Sequence, residues 1–349
     1  MRSMPDCEPM RARLEPLPDK GLAHDHFRIP GTGRLVRAPK QSQLGLTAAD
    51  NLAYQAACFE RASASGHAPR LHAVLPPSPE WPLGALVVDE IDGRPLELPR
   101  NLAPLAAALA AIHGLPVPLP SARPPLRDQA DPLGETLAEV ERQAAHLGAA
   151  GLEPPARAMI EAELAWARAF VRTDARPPVC LISFDAHPGN FLLDRTGRAV
   201  LVDLEKARYG SPGFDLAHAS LYTSTTWDVA CYAELSAAEV ARLYACWLER
   251  APRPLAQTMR PWLAPQRRLM WLWSITWCAK WRVESARASR QDRAQGASAE
   301  DWSAELSDPA LIAHVKGRVD HYLMPSTIAR VRADWQAGGP LTALLGDPV

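Results

Sequence analysis

At 349 residues, with 38 Lys and Arg against 39 Asp and Glu and a net charge of −1, the chain is long enough for one large domain or two lobes around a real core. That charge balance gives no overall pull toward nucleic acid or an anionic membrane, and neither is expected as a partner. Hydrophobic residues at 47% and charged residues at 22% are the mix of a soluble globular protein, and 34 prolines predict many stiff loops.

The opening MRSMPDCEPMRARLEPLPDK has no apolar stretch, so a signal peptide is not expected. The most apolar run, residues 269–279, is well short of the ~20 residues that cross a bilayer. The six cysteines (Cys7, Cys58, Cys180, Cys231, Cys246 and Cys278) form no C-x-x-C and no Cys/His zinc spacing. They read as free buried thiols of a reducing cytoplasm.

Residues 1–14 read as a tail. Two short β runs follow, 26–29 and 34–37, joined by the Gly-containing turn 30–33, a hairpin pattern. Just ahead, residues 20–25 form a turn with one glycine, Gly21. It is either a surface turn or a weak phosphate loop. Thr47 and Asp50 are spaced like a capping box, and 48–63 carries Leu52, Ala56 and Phe59 on one helical stripe. Strands are predicted at 69–74 and 85–88, and the second exits into the polar turn 89–94. Beyond it the chain turns helical: 102–113, 136–147 and 156–171 all repeat apolar residues at helical period. The runs 191–193 and 200–202 flank a second hairpin signal, and residues 214–336 are mostly helical. Residues 287–300 are charged and non-periodic, so an exposed loop is predicted. The chain therefore divides into a small mixed β lobe at 15–92 and a larger, mainly helical lobe at 93–349. A ligand belongs in the cleft between them.

The stretch 181–217, LISFDAHPGNFLLDRTGRAVLVDLEKARYGSPGFDLA, carries the chemistry. Phosphoryl transfer from ATP asks for a carboxylate that orients and deprotonates the acceptor hydroxyl, and for oxygen ligands that hold Mg²⁺ on the phosphates. Asp185 and Asn190 share one tight loop that Pro188 stiffens and Gly189 lets turn. Asp203 follows the second strand of the hairpin and returns beside Asn190. One carboxylate is then left for the acceptor, while an amide and a carboxylate share the metal. Glu205 is a further candidate for the metal. Singly, an Asp after a strand is usually a cap; jointly, D-x-x-x-x-N, hairpin and D-x-E fall in the right order.

These motifs resemble the aminoglycoside phosphotransferase/choline kinase family, whose pattern is close to HGDLHPGNVL…IDWEDAGYGDPAYDLA. Upstream, DEIDGRPLELP is similar to the family's hinge and NLAPLAAALAAIHGLPVP to the helix after it. NLAYQAACFERASASGHAPRLHAV is similar to its N-lobe helix and strand, and GLAHDHFRIPGTGRLVRAPK to its nucleotide loop and first strands. The resemblance covers about residues 15–220. It implies an α+β, protein-kinase-like two-lobed fold with a β-rich N-lobe containing one helix. It implies Asp185 as catalytic base, Asn190 and Asp203 as Mg²⁺ ligands, and Asp215 as a brace for the catalytic loop. Gly21 would lie in the nucleotide loop, Arg37 would contact phosphate, and backbone groups around Asp89 and Ile91 would bind adenine. Three positions depart from the pattern. Ser183 replaces a His two residues before the base. Gln55, or Glu60 in another register, stands for the Glu that pairs the phosphate-contacting residue. Arg37 replaces Lys, with Lys40 as the other candidate.

The expected activity is ATP- and Mg²⁺-dependent phosphorylation of a hydroxyl on a small metabolite or antibiotic, in the cytoplasm. A choline/ethanolamine-type kinase and a nucleotide-binding pseudokinase are the alternatives. For the acceptor wall, Trp271, Trp273, Trp277 and Trp281 read either as an aromatic cage or as a core stripe. Trp227 and Asp228 read as a wall or a polar turn, and His187 as an acceptor contact or a backbone tie. His24, Asp25 and Glu284 are candidates for the cleft.

Overall fold

A computed structural model describes residues 14–17, 24–288, 309–335 and 339–346. Strand β1 (Glu15–Pro16) pairs with β2 (His24–Ile29), and β2 with β3 (Arg34–Pro39), across a turn where Gly31 and Gly33 adopt φ of 72° and 66°. Helix α1 (Ala48–Ser63) starts at Thr47, whose side chain accepts the Asp50 N–H. Strands β4 (Leu71–Leu75) and β5 (Ala85–Asp89) complete an antiparallel sheet in the order β1-β2-β3-β5-β4.

The period of two along β3 decides what the sheet offers each side. Val36 and Ala38 join Phe27, Trp81, Ala85 and Val87 in a small apolar cluster on the outer face. Leu35 packs on the main core, and Arg37, on the same face as Leu35, reaches across the cleft. Helix α1 is bound to the opposite lobe too: Tyr54 Oη donates to the Ala207 carbonyl at 2.7 Å.

The chain crosses at β6 (Gly93–Pro95), which pairs with the far lobe's β8 (Phe191–Asp194). Helix α2 (Leu102–His113) is buried along most of its surface. Helix α3 (Pro132–Ala144) begins earlier than its apolar period suggests, because Asp131 caps it through the Gly134 N–H and Pro132 sits at the first helical position. Helix α4 (Pro154–Phe170) likewise takes Pro154 into its first turn. Strand β7 (Cys180–Ile182) pairs with β10 (Arg208–Gly210), and β8 with β9 (Ala199–Leu201).

The rest is helical: α5 (Pro212–His218), α6 (Tyr222–Thr225), α7 (Ala237–Arg250), α8 (Arg253–Met259), α9 (Leu263–Ala288), α10 (Pro309–Tyr322), α11 (Pro325–Arg332) and α12 (Pro340–Leu345). Helix α9 is the spine, packed against α3, α4, α5 and α10. It continues through Ala288, so the predicted loop is helix at residues 287 and 288; its remainder lies outside the described residues. Among the described residues no helix is long and apolar enough to cross a membrane. The architecture is the expected two-lobed α+β fold.

Candidate active site

The site begins where β7 ends. Phe184 holds a left-handed φ of 57°, a conformation that costs a non-glycine residue about 1–2 kcal/mol. Asp215, from the first turn of α5, holds that turn in place. Its two oxygens accept the backbone N–H groups of Ser183 (2.7 Å) and Phe184 (2.8 Å). His113 Nε2 lies 3.1 Å from the same carboxylate, and Trp247 Nε1 donates to His113 Nδ1 at 3.0 Å. The indole N–H therefore fixes the imidazole proton on Nε2, facing Asp215. Ser183 Oγ accepts the Asp185 N–H at 3.2 Å, so the loop is stiff without the family's histidine. The Phe184 ring is clamped by the Arg208 guanidinium at 3.8 Å, and by Trp273 and Phe214 edge-on.

Asp185 emerges from this braced turn. Its Oδ2 accepts from Lys206 Nζ at 2.9 Å, and its Oδ1 lies 3.8 Å from His218 Nδ1. Burial alone would raise the Asp185 pKa, but the Lys206 ammonium, aided by His187 and His218, holds it well below the usual carboxylate range. Lys206 is itself raised: burial works against its charge, and Asp185 and Glu205 outweigh it. Sequence reasoning passed over Lys206. The signal was a cation directly after D-x-E.

Asn190 Nδ2 donates to the Asp185 carbonyl at 2.7 Å, which leaves the amide oxygen for a cation. The Val202 N–H donates to the Asn190 carbonyl at 2.9 Å, and so the hairpin delivers Asp203 next to Asn190. Asp203 Oδ1 accepts from Arg37 Nη2 at 2.6 Å. Burial pushes its pKa up, but Arg37 and His24 bring it below the usual value. Glu205 is buried, 3.7 Å from His24 Nε2, and its Oε2 has no hydrogen-bond partner. Burial and then the charge of Asp203 push its pKa up to about 8. Among the described residues no three His, Cys, Asp or Glu side chains converge on one point as a metal site. A donor set of amide and carboxylate oxygens on two residues, with an unsatisfied buried carboxylate oxygen next to it, fits Mg²⁺, which binds few protein ligands and keeps its waters.

On the N-lobe side, Arg37 is the cleft cation. It also donates to the Val202 carbonyl at 2.9 Å, while Lys40 pairs with Asp25. Gln55 is buried and Glu60 exposed, so Gln55 faces the site. It does not touch Arg37 directly. His24 stands between them, with Nδ1 3.1 Å from Arg37 Nη2 and Nε2 3.1 Å from Gln55 Oε1. Burial, then Arg37, keeps the His24 pKa well below its ordinary value. A neutral imidazole thus relays between cation and amide where the family pattern has a direct ion pair.

At the hinge, the Asp89 carboxylate accepts from the Arg70 N–H and His72 Nε2, and its own N–H donates to the Arg70 carbonyl. Ile91 lines an open groove of ≈ 490 Å³ with Arg28, Gly33, Glu90, Asp92 and Gly93. Gly21 lies outside the described residues.

The tryptophans of α9 divide. Trp271 and Trp281 are buried, and Trp271 packs on Trp335. Trp273 touches His218 and Phe184 beside Asp185, and Trp277 meets Trp227 edge-on. His187 Nδ1 accepts the Gly189 N–H, a tie to the backbone. Asp228 caps the turn after it through the Ala230 N–H. Its Oδ2 occupies the space that a Cβ on Gly189 would fill, so Asp228 lies against the loop that carries Asp185 and Asn190. Glu284 pairs with His146 and Lys280.

Residues 27–254 match the sequence model of the phosphotransferase enzyme family. The chain belongs to that family. It is a small-molecule kinase by membership, and solved structures agree on the fold. A choline/ethanolamine kinase family protein from Mesorhizobium loti is 19% identical, with 92% of each chain covered and a TM-score of 0.52. A choline kinase from Cryptosporidium parvum is 12% identical over 97% of this chain and 95% of that one, with a TM-score of 0.55. A mutant aminoglycoside 2'-phosphotransferase solved with GDP is 15% identical over 91% and 94%, with a TM-score of 0.54. No curated protein matches the chain.

Proposed function

We propose that this phosphotransferase moves the γ-phosphoryl group of ATP to a hydroxyl of a small molecule by direct in-line transfer, with Asp185 as base. The observation that carries the reading is the pair of bonds through Asn190, one to the Asp185 carbonyl and one from the Val202 N–H. They tie the backbone of Asp185, the Asn190 amide and the chain leading into Asp203 together. Asn190 and Asp203 would hold Mg²⁺, with Glu205 joining once it loses its proton. The ion would neutralise charge on the β- and γ-phosphates.

This chain's own residues do the remaining work. Arg37 leaves Asp203 and turns its fork to phosphate, steadied by His24. Backbone groups near Asp89 and Ile91 take the purine; in Asp89 the carbonyl serves, because the N–H is already used. Asp185 is a weak base by virtue of Lys206. That suits a loose transition state, in which the acceptor proton leaves late and the carboxylate chiefly orients the hydroxyl. A cytoplasmic location, where ATP is abundant, accords with the reading; the described cysteines are free thiols.

The test is calorimetric binding of ATP and of GTP with and without Mg²⁺, followed by turnover in Asp185→Asn and Asp203→Asn. Wild-type protein that binds neither nucleotide would end the proposal. Unchanged turnover in Asp203→Asn would end the metal assignment. Nucleotide binding with no turnover on any hydroxylated acceptor would favour the pseudokinase. A choline-type acceptor is the second reading; the Trp227–Trp277 pair and Asp228 beside the catalytic loop favour it.

A further inference from the structure

Asp185 uses its two oxygens differently. Oδ2 is paired with Lys206 at 2.9 Å. Oδ1 faces His218 Nδ1 at 3.8 Å, beyond hydrogen-bond range. An acceptor hydroxyl that gives its proton to Asp185 therefore docks at Oδ1, at about 3 Å. Around that position the structure offers nitrogen. The Lys206 ammonium carries three N–H donors, and Asp185 takes one. His218 is 9% exposed and its Nδ1 has no hydrogen-bond partner. The nearby acid on the acceptor side, Asp228, already has one oxygen bonded to the Ala230 N–H. VDLEKARYG set against the pattern IDWEDAGYG puts Lys206 where that pattern has an aspartate, so the charge at this one position is reversed.

We propose that the acceptor carries an anionic oxygen group, a carboxylate or a phosphate, within a carbon or two of its hydroxyl, and that Lys206 binds that group. The proposal rests on the phosphotransferase reading above. With the hydroxyl at Oδ1, an anion a few bonds away reaches the spare donors of Lys206 and the open Nδ1 of His218. A cationic group in the same place would stand about 5 Å from the ammonium. The Asp185 carboxylate paired with Lys206 offsets most of that repulsion, so the discrimination comes from the charge-assisted bond that a cation forfeits, about tenfold.

The experiment starts with ATP binding in the presence of Mg²⁺, whose absence would refute the phosphotransferase reading separately. ADP release and thermal stabilisation are then measured with glycerate and glycerol 3-phosphate, with glycerol, and with choline and ethanolamine. The expected result is turnover or stabilisation by an anionic probe, about tenfold better than by a cationic probe of similar size. Glycerate against glycerol 3-phosphate separates carboxylate from phosphate. Lys206→Met should raise KM for the anionic probe at least tenfold, far more than it lowers kcat, and Lys206→Glu should shift preference toward the cations. Preference for choline or ethanolamine in the wild type overturns the proposal. So does a protein that binds ATP but responds to neither anionic probe. Equal loss of kcat with every acceptor at unchanged KM in Lys206→Met overturns it as well, since the ammonium then serves the transferred phosphoryl. The wild-type panel needs no variant, so a misfolded Lys206→Met leaves the test standing.

Discussion

Replacing Asp215 with alanine should cost far more than one side chain usually does. The carboxylate is fully buried and receives three donors, the N–H groups of Ser183 and Phe184 and the imidazole of His113. Alanine leaves all three donors without a partner. Each buried, unsatisfied group costs about 1–3 kcal/mol, so about 4–6 kcal/mol should be lost after partial relaxation. Against a total stability of about 5–15 kcal/mol, that is a large fraction. With the clamp gone, Phe184 can leave its left-handed conformation and Asp185 moves with it. If Asp185 is the proposed base, a shift of about 1 Å there is enough to lower kcat by about 10²-fold. Urea unfolding followed by circular dichroism measures the first effect and steady-state turnover the second. Glu161→Ala, which removes an exposed pair with Arg157 on α4, serves as control and should cost less than about 0.5 kcal/mol. His113→Ala combined with Asp215→Ala should be strongly non-additive, because both act on the same bond. A loss below about 1.5 kcal/mol in Asp215→Ala, or a kcat within tenfold of wild type, would refute the clamp.

Burial first, partly offset by Asp185, holds the His218 pKa down to about 4, against an ordinary value of 6.5. Between those values the unfolded chain binds the extra proton. Stability is therefore complete above pH 6.5 and falls by about 3 kcal/mol as the pH drops to 4. His218→Asn should flatten that limb of a melting-temperature profile, and superimposable profiles would contradict the assignment. Trp271→Ala should destabilise by about 3–5 kcal/mol, whereas Trp273→Ala should act mainly on acceptor KM; equal effects on unfolding would deny the division of the stripe. Glu163 is buried between Arg268 and Arg332 and ties α4 to α9 and α11. Glu163→Gln should cost about 3 kcal/mol in urea unfolding. Gln55→Glu places a carboxylate next to His24 and should raise the imidazole pKa, visible by NMR as a shifted titration; an unmoved His24 resonance would contradict the relay.

The candidate site was legible because its parts are close in sequence. Asp185, Asn190 and Asp203 lie on one loop and one hairpin, and turn residues and a period of two suffice to bring them together. His24, Gln55 and Arg37 come from two strands and a helix, and only the sheet register and the buried face of α1 join them. Nothing local announces that His113 and Trp247 stand behind Asp215. Strands β1, β6 and β10 were missed because two or three residues show no periodicity. Lys206 is the instructive omission: it was in plain view, but where an ammonium on a long stem points is decided by the fold.

Arg37 joins β3 to the Val202 carbonyl and Asp203 of the opposite lobe. The residue proposed to grip phosphate is therefore also a bond between the two lobes. On the proposed mechanism, nucleotide binding is then an exchange of partners. Arg37 cannot turn that Nη2 to a phosphate without giving up Asp203, so the carboxylate and the phosphate compete for one guanidinium.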